Sequence, residues 1–139
     1  MKKNKVRNLV LHNKVDFLAL QETKLEEITP SLCYSIWGNE DCMWALRASK
    51  GSSGGILSIW SKSSAELLFS FQGDGYVGVC LEWGVEKIRV IIVNVYSKCD
   101  LEAKRRLWEA LVLEKESRGR GAWCMVGDFN AVRRREERG

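Results

Sequence analysis

A mixed α/β domain is what this sequence predicts, and three features predict it. Two short apolar runs end abruptly in a carboxylate: Asp16-Phe17-Leu18-Ala19-Leu20-Gln21-Glu22 near the start, and Ala122-Trp123-Cys124-Met125-Val126-Gly127-Asp128 near the end. Between them lies a series of strand-like segments separated by Gly or polar turns. One long stretch of helical spacing, Leu101 to Ser117, then separates two strand candidates and forms a crossover unit, which makes those strands parallel neighbours.

Taken in order, Val6, Leu9 and Val10 suit an amphipathic helix over Val6 to Lys14 that leads into a first strand at Asp16. Thr29-Pro30 starts a short helix through Ser31-Leu32, since proline is tolerated in a first helical turn. Strands are expected at Met43 to Leu46, Gly55 to Trp60, Ala65 to Phe71, Tyr76 to Trp83 and Lys87 to Tyr96, with a hairpin turn at Trp83 to Lys87. On the long helix, Leu101, Leu107, Trp108, Leu111 and Val112 fall on one face and the charges largely elsewhere. The final strand, 122 to 126, and the first one both read as short buried strands.

At 139 residues, 45% of them hydrophobic, the chain is expected to be one globular domain. A single proline and the lack of repeats or biased tracts argue against linkers. No apolar run approaches the length of a membrane span, and the basic N-terminus lacks the apolar stretch of a signal peptide, so the expectation is an intracellular protein without a membrane partner. Five cysteines, odd in number and without a Cys-x-x-Cys pair, indicate neither a disulfide framework nor a zinc site, and most are expected to be buried thiols. A net charge of +4, with basic density at Lys2 to Arg7, Lys104 to Arg106, Arg118 to Arg120 and Arg133 to Arg135, permits a polyanionic partner without demanding one.

The two strand-end carboxylates are the chemical signal. Mg²⁺ takes oxygen ligands, commonly one or two carboxylates plus water and substrate phosphate, which fits Glu22 and Asp128 better than any Cys/His set in the chain. Metal-assisted phosphodiester hydrolysis is the chemistry these residues suggest. A plainer reading stands beside it: Glu22 as an exposed loop carboxylate and Asp128 as a turn residue. Asn130 equally suits a cap, Tyr96 a half-buried strand aromatic, Lys24 a solvated lysine, and Ser53-Gly54-Gly55 a turn supplying positive φ. The six tryptophans read mostly as core, His12 as a surface helix residue, and Arg133-Arg134-Arg135 as either a DNA-backbone contact or a solvated loop.

Four short motifs in order, Leu20-Gln21-Glu22-Thr23-Lys24, Ser53-Gly54-Gly55, Asn94-Val95-Tyr96-Ser97 and Gly127-Asp128-Phe129-Asn130, resemble the endonuclease/exonuclease/phosphatase superfamily. Within it the chain looks most like the apurinic-type endonuclease domain of plant non-LTR (LINE) retrotransposons. The resemblance implies a DNase I-like four-layer α/β sandwich of mixed β-sheets with flanking helices, and a Mg²⁺- or Mn²⁺-dependent hydrolysis of DNA phosphodiesters. It makes Glu22 the metal-binding carboxylate and Asp128 the residue that orients or deprotonates the attacking water. Asn130 contacts the scissile phosphate, Tyr96 sits near it at the rim, and Lys24 is placed to steer phosphate.

The departures from the family pattern are specific. Family members begin with a strand carrying an Asn, and they continue past the Gly-Asp-Phe-Asn motif to a further Asp and a Ser-Asp-His motif. This sequence begins in the helix after that strand and stops at Gly139; Lys98 stands where the family often has Pro, and His12 does not match the catalytic His. The expectation is therefore an incomplete sandwich, a partial domain over residues 1–139. It would be weak or inactive in isolation, would self-associate through an uncovered sheet edge, and would derive from a longer parent chain with a reverse transcriptase domain, nuclear if that role holds. The alternatives are a catalytically dead remnant that binds nucleic acid non-specifically and a small-molecule phosphatase of the same superfamily.

Overall fold

The computed structural model describes residues 16–50, 54–97, 100–118 and 121–128. The elements run β1 (Phe17–Gln21), α1 (Pro30–Trp37), β2 (Cys42–Arg47), β3 (Ile56–Ser61), β4 (Ala65–Gly73), β5 (Tyr76–Trp83), β6 (Ile88–Tyr96), α2 (Leu101–Arg118) and β7 (Ala122–Asp128). The helix expected over Val6 to Lys14 lies outside the described residues.

The strands form two sheets, one ordered β1-β3-β2 and the other β4-β5-β6-β7. All pairs are antiparallel except β6 and β7, which run parallel as the α2 crossover requires. Strand alternation divides the apolar residues into three layers of packing. Leu57 and Ile59 of β3 face α1, joining Cys33, Ile36 and Trp37. Trp60, on the other face of β3, meets Val79, Leu81 and Ile92 between the sheets. Cys80, Ile91, Val93 and Val95 face α2 and pack on Leu107 and Leu111. The order helix, sheet, sheet, helix is a four-layer sandwich.

Local chemistry explains the helix ends. Thr29, in extended conformation, accepts a hydrogen bond from the Leu32 amide at 3.1 Å, and Gly38, in the left-handed region with φ 108°, closes α1 by donating to the Tyr34 carbonyl. At the far side of the molecule Tyr76 donates to Glu114 at 2.8 Å and so fastens α2 to its sheet; burial, and then this bond, push the Tyr76 phenol up to about 12.

Two expectations need correction. β1 and β7 are half-buried rather than buried, because each lies at the edge of its sheet. On α2 only Leu107 and Leu111 are buried, while Leu101, Trp108 and Val112 are 81%, 45% and 53% exposed. Those five residues span roughly 140° of the helix at about 100° per residue, and only the nearer part reaches the sheet. Trp108 is consequently a surface residue, whereas Trp37 and Trp60 are buried and Trp44, Trp83 and Trp123 half-buried. Of the thiols, Cys33, Cys42 and Cys80 are buried and Cys124 is exposed. No helix among the described residues is long and apolar enough to cross a membrane.

Candidate active site

One end of the sandwich gathers the polar strand ends. β1 delivers Glu22, β2 ends at Arg47, β3 begins after Gly55, the β4–β5 turn carries Asp74, and β6 ends at Tyr96. Glu22, Arg47, Lys50, Gly55, Asp74 and Tyr96 line a cleft of about 200 Å³ between the two sheets. β7 brings Asp128 to this same end, in parallel register opposite Tyr96.

Glu22 stands in an unusual backbone state. Its φ is 54° and that of Lys24 is 59°, both in the left-handed region that side chains other than glycine seldom occupy. The loop is held there by two main-chain bonds, from the Thr23 amide to the Gly55 carbonyl at 3.1 Å and from the Lys24 amide to the Gly54 carbonyl at 2.8 Å. Gly55 must be glycine for this approach: with φ 95°, a Cβ there would strike the Thr23 hydroxyl and lie 2.9 Å from the Lys24 nitrogen. Gly54 and Gly55, read from sequence as part of the turn Ser53-Gly54-Gly55, thus clamp the Glu22 loop; Ser53 lies outside the described residues.

Gly127 has the same necessity from the other sheet. Its φ is 122°, and a Cβ would strike the Val95 carbonyl and sit 3.1 Å from Gln21 Nε2. The close approach of β7 to β6 and β1 carries Asp128 to the cleft end as the last residue of the strand.

Below the cleft is a buried polar bridge. Asn94 of β6, fully buried, accepts from Gln21 Nε2 at 2.7 Å. Its own Nδ2 faces the Leu20 carbonyl at 3.3 Å, the Leu57 carbonyl at 3.0 Å and the Ser58 hydroxyl at 3.2 Å.

The expected site residues therefore divide. Glu22, Tyr96 and the backbone of Asp128 come together at one end of the fold. Lys24 is exposed on the Glu22 loop, while the cations that line the cleft are Arg47 and Lys50. Asn130 lies outside the described residues, as do His12 and Arg133 to Arg135. Sequence reasoning assigned no role to Arg47, Lys50, Asp74 or Asn94. Asn94 did leave a signal, as the first residue of the motif Asn94-Val95-Tyr96-Ser97 and a single amide inside the apolar run Ile91 to Val95; the other three have no motif, because they meet only through the topology.

The donor set is hard. Glu22 and Asp74 are the carboxylate residues that line the cleft. That fits a cation held by one or two carboxylates with water and substrate phosphate completing its shell, as Mg²⁺ is commonly bound. The thiols do not compete for such a role: burial, then the neighbouring Cys42, pushes Cys33 up to about 12, and burial, then Asp41, pushes Cys42 up to about 11.

No protein-family model matches the sequence, and no curated protein matches it at significance. Solved structures do match its fold. An endonuclease/exonuclease/phosphatase from Bacteroides vulgatus superposes with a TM-score of 0.72 at 16% identity, over 94% of this chain and 58% of that one. The fold is DNase I-like. ANGEL2, a 2′,3′-cyclic phosphatase in complex with adenosine-2′,3′-vanadate, gives a TM-score of 0.72 at 20% identity over 93% of this chain and 44% of its own. D. rerio TDP2, complexed with a single-strand DNA product, gives 0.65 at 13% identity over 94% and 54%. The chain spans about half the length of these DNase I-like structures.

Proposed function

We propose that the cleft hydrolyses phosphodiesters of DNA with the help of Mg²⁺ or Mn²⁺. The observation that carries this reading is the convergence of Glu22, Tyr96 and the Asp128 strand end beside two cations, Arg47 and Lys50, at one end of a DNase I-like sandwich. Glu22, with Asp74 across the cleft, would hold the metal, which supplies Lewis-acid stabilisation of charge on the phosphoryl oxygens. Arg47 and Lys50 attract the phosphate and Tyr96 offers a phenol donor at the rim. The motif resemblance adds Asp128 as the group that orients or deprotonates water, and Asn130 as a phosphate contact. The order of the four motifs supports a target-nicking role of the LINE retrotransposon type, within a longer chain that carries a reverse transcriptase.

The test is nicking of supercoiled plasmid by the purified 139-residue chain, with and without Mg²⁺, beside Glu22→Ala and Asp128→Ala. Weak metal-dependent nicking that is lost in both variants is expected. A folded wild type that binds plasmid in a salt-sensitive manner, unaffected by Asp128→Ala and without turnover, would instead identify a nucleic-acid-binding remnant.

A further inference from the structure

Among the described residues Asn94 is the one fully buried side-chain amide at the seam between the sheets, and its contacts are arranged across three strands of the fold. It belongs to β6, yet its partners Leu20 and Gln21 belong to β1, and Leu57 and Ser58 to β3. Both ends of the amide are bonded within the protein and the side chain is fully buried, so Asn94 is not a substrate contact.

What it holds is the residue before Glu22. Gln21 is the last residue of β1, its Nε2 bonded to Asn94 Oδ1 at 2.7 Å. On the other side of Glu22, the Thr23 and Lys24 amides are bonded to the carbonyls of Gly55 and Gly54. Glu22 is thereby bracketed on both sides while its φ is held at 54°. The same Gln21 amide lies against Gly127, the residue before Asp128, and Asn94 is two residues before Tyr96. A single amide pair thus joins the strand that carries Glu22 to the two strands that carry Tyr96 and Asp128.

We propose that the Asn94–Gln21 pair is a positioning element that sets Glu22 against the Tyr96–Asp128 edge, and thereby sets the affinity of the cleft for a divalent cation. The proposal rests on the reading that Glu22 holds that cation. Groups that orient a metal-binding side chain without touching the metal commonly change its affinity 10- to 100-fold when removed. A pair that merely fills the seam would change stability and leave cation affinity alone.

The experiment titrates Mn²⁺ into the purified 139-residue chain and reads free Mn²⁺ by its electron paramagnetic resonance signal, which requires no turnover. Variants are Glu22→Ala, Asn94→Ala and Gln21→Met, the last at a half-buried site where the methylene stem survives and only the amide is lost. Val79→Ala, which opens a gap in the apolar seam away from the cleft, controls for general loss of stability. Binding that Glu22→Ala abolishes, that Gln21→Met weakens about tenfold or more, and that Val79→Ala leaves unchanged is the expected pattern. Equal Mn²⁺ affinity in wild type and Gln21→Met overturns the proposal even if Asn94→Ala does not fold. Equal losses in Gln21→Met and Val79→Ala overturn it as well. Mn²⁺ binding with this pattern but no plasmid nicking sinks the nuclease reading alone, whereas no Mn²⁺ binding by the folded wild type overturns both.

Discussion

The seam between the two sheets has an oily half and a polar half, and they are built on opposite terms. In the oily half Phe17 stacks on Trp60, with ring planes 9° apart, above Val79, Leu81 and Ile92. In the polar half Gln21, Ser58 and Asn94 replace apolar contacts with hydrogen bonds, and Glu22 and Lys24 hold left-handed backbone. Burial of apolar area stabilises the first half in proportion to its size, whereas hydrogen bonds exchanged for those of water contribute little net stability. The polar half is therefore a region of placement, standing on the stability of the other.

The sharpest way to break this contrast is Trp60→Ala. It should cost about 4 kcal/mol, the range for removing a buried aromatic, read as a shift of the urea midpoint. A loss below about 1 kcal/mol would show that the oily half is not the source of stability. Next in size is Gly127→Ala, where a methyl would collide with the Val95 carbonyl at a φ of 122°. A cost of about 2–3 kcal/mol is expected there, although no apolar surface is lost, and a thermal melt unchanged from wild type would refute the close approach.

Glu22→Gly sharpens the contrast in the opposite direction. Glycine adopts positive φ without the Cβ penalty of about 1 kcal/mol, so the variant should be as stable as wild type or slightly more so while losing Mn²⁺ binding. A marked fall in its urea midpoint would contradict the left-handed state of Glu22.

The smallest effect belongs to the far end of the sandwich. There the Asp41 carboxylate accepts from the Ser63 hydroxyl at 2.7 Å, the Ser63 amide at 2.8 Å and the Ser61 hydroxyl at 3.2 Å. The Ser63 hydroxyl leads in holding its pKa below the usual 3.8. A depressed carboxylate stabilises the fold above its unfolded value and loses that contribution as pH falls through the folded one. Wild type should therefore exceed Asp41→Asn in stability near neutral pH, and the advantage should fade as pH drops below the ordinary carboxylate value of 3.8. Parallel stability curves through that acid range would remove the carboxylate from the account.

Most of the fold was legible because its signals are local. Thr29-Pro30 marks the start of α1, the flanking turns Gly73-Asp74-Gly75 and Trp83 to Lys87 bound β5 at Tyr76–Trp83 as the structure has it, and a helix between two strand runs implies the parallel β6–β7 pair. What sequence could not carry was the position of an element within its layer. The edge places of β1 and β7 leave them half-buried, and the narrow part of α2 that reaches the sheet leaves Trp108 outside. The site divides along the same line. Glu22 and Tyr96 stand in motifs, but Arg47, Lys50 and Asp74 come from a strand end, a loop and a turn that share no pattern and meet only in three dimensions. Asn94 was visible as an oddity, and only its partners on β1 and β3 explain why an amide sits there.

The bond between Gln21 and Asn94 joins residues 73 positions apart. Closing so long a loop is entropically dear, and chains dominated by distant pairings fold slowly for that reason. The β4–β5 and β5–β6 hairpins can form from neighbouring sequence, but the cleft end must wait for β1 to meet β6 and β7. If the β1 docking that completes the cleft comes last, a divalent cation present during refolding should leave the folding rate unchanged and slow only unfolding. Stopped-flow refolding with and without Mn²⁺ reads this directly, and a faster folding limb would mean that the cleft nucleates the sandwich it was built upon.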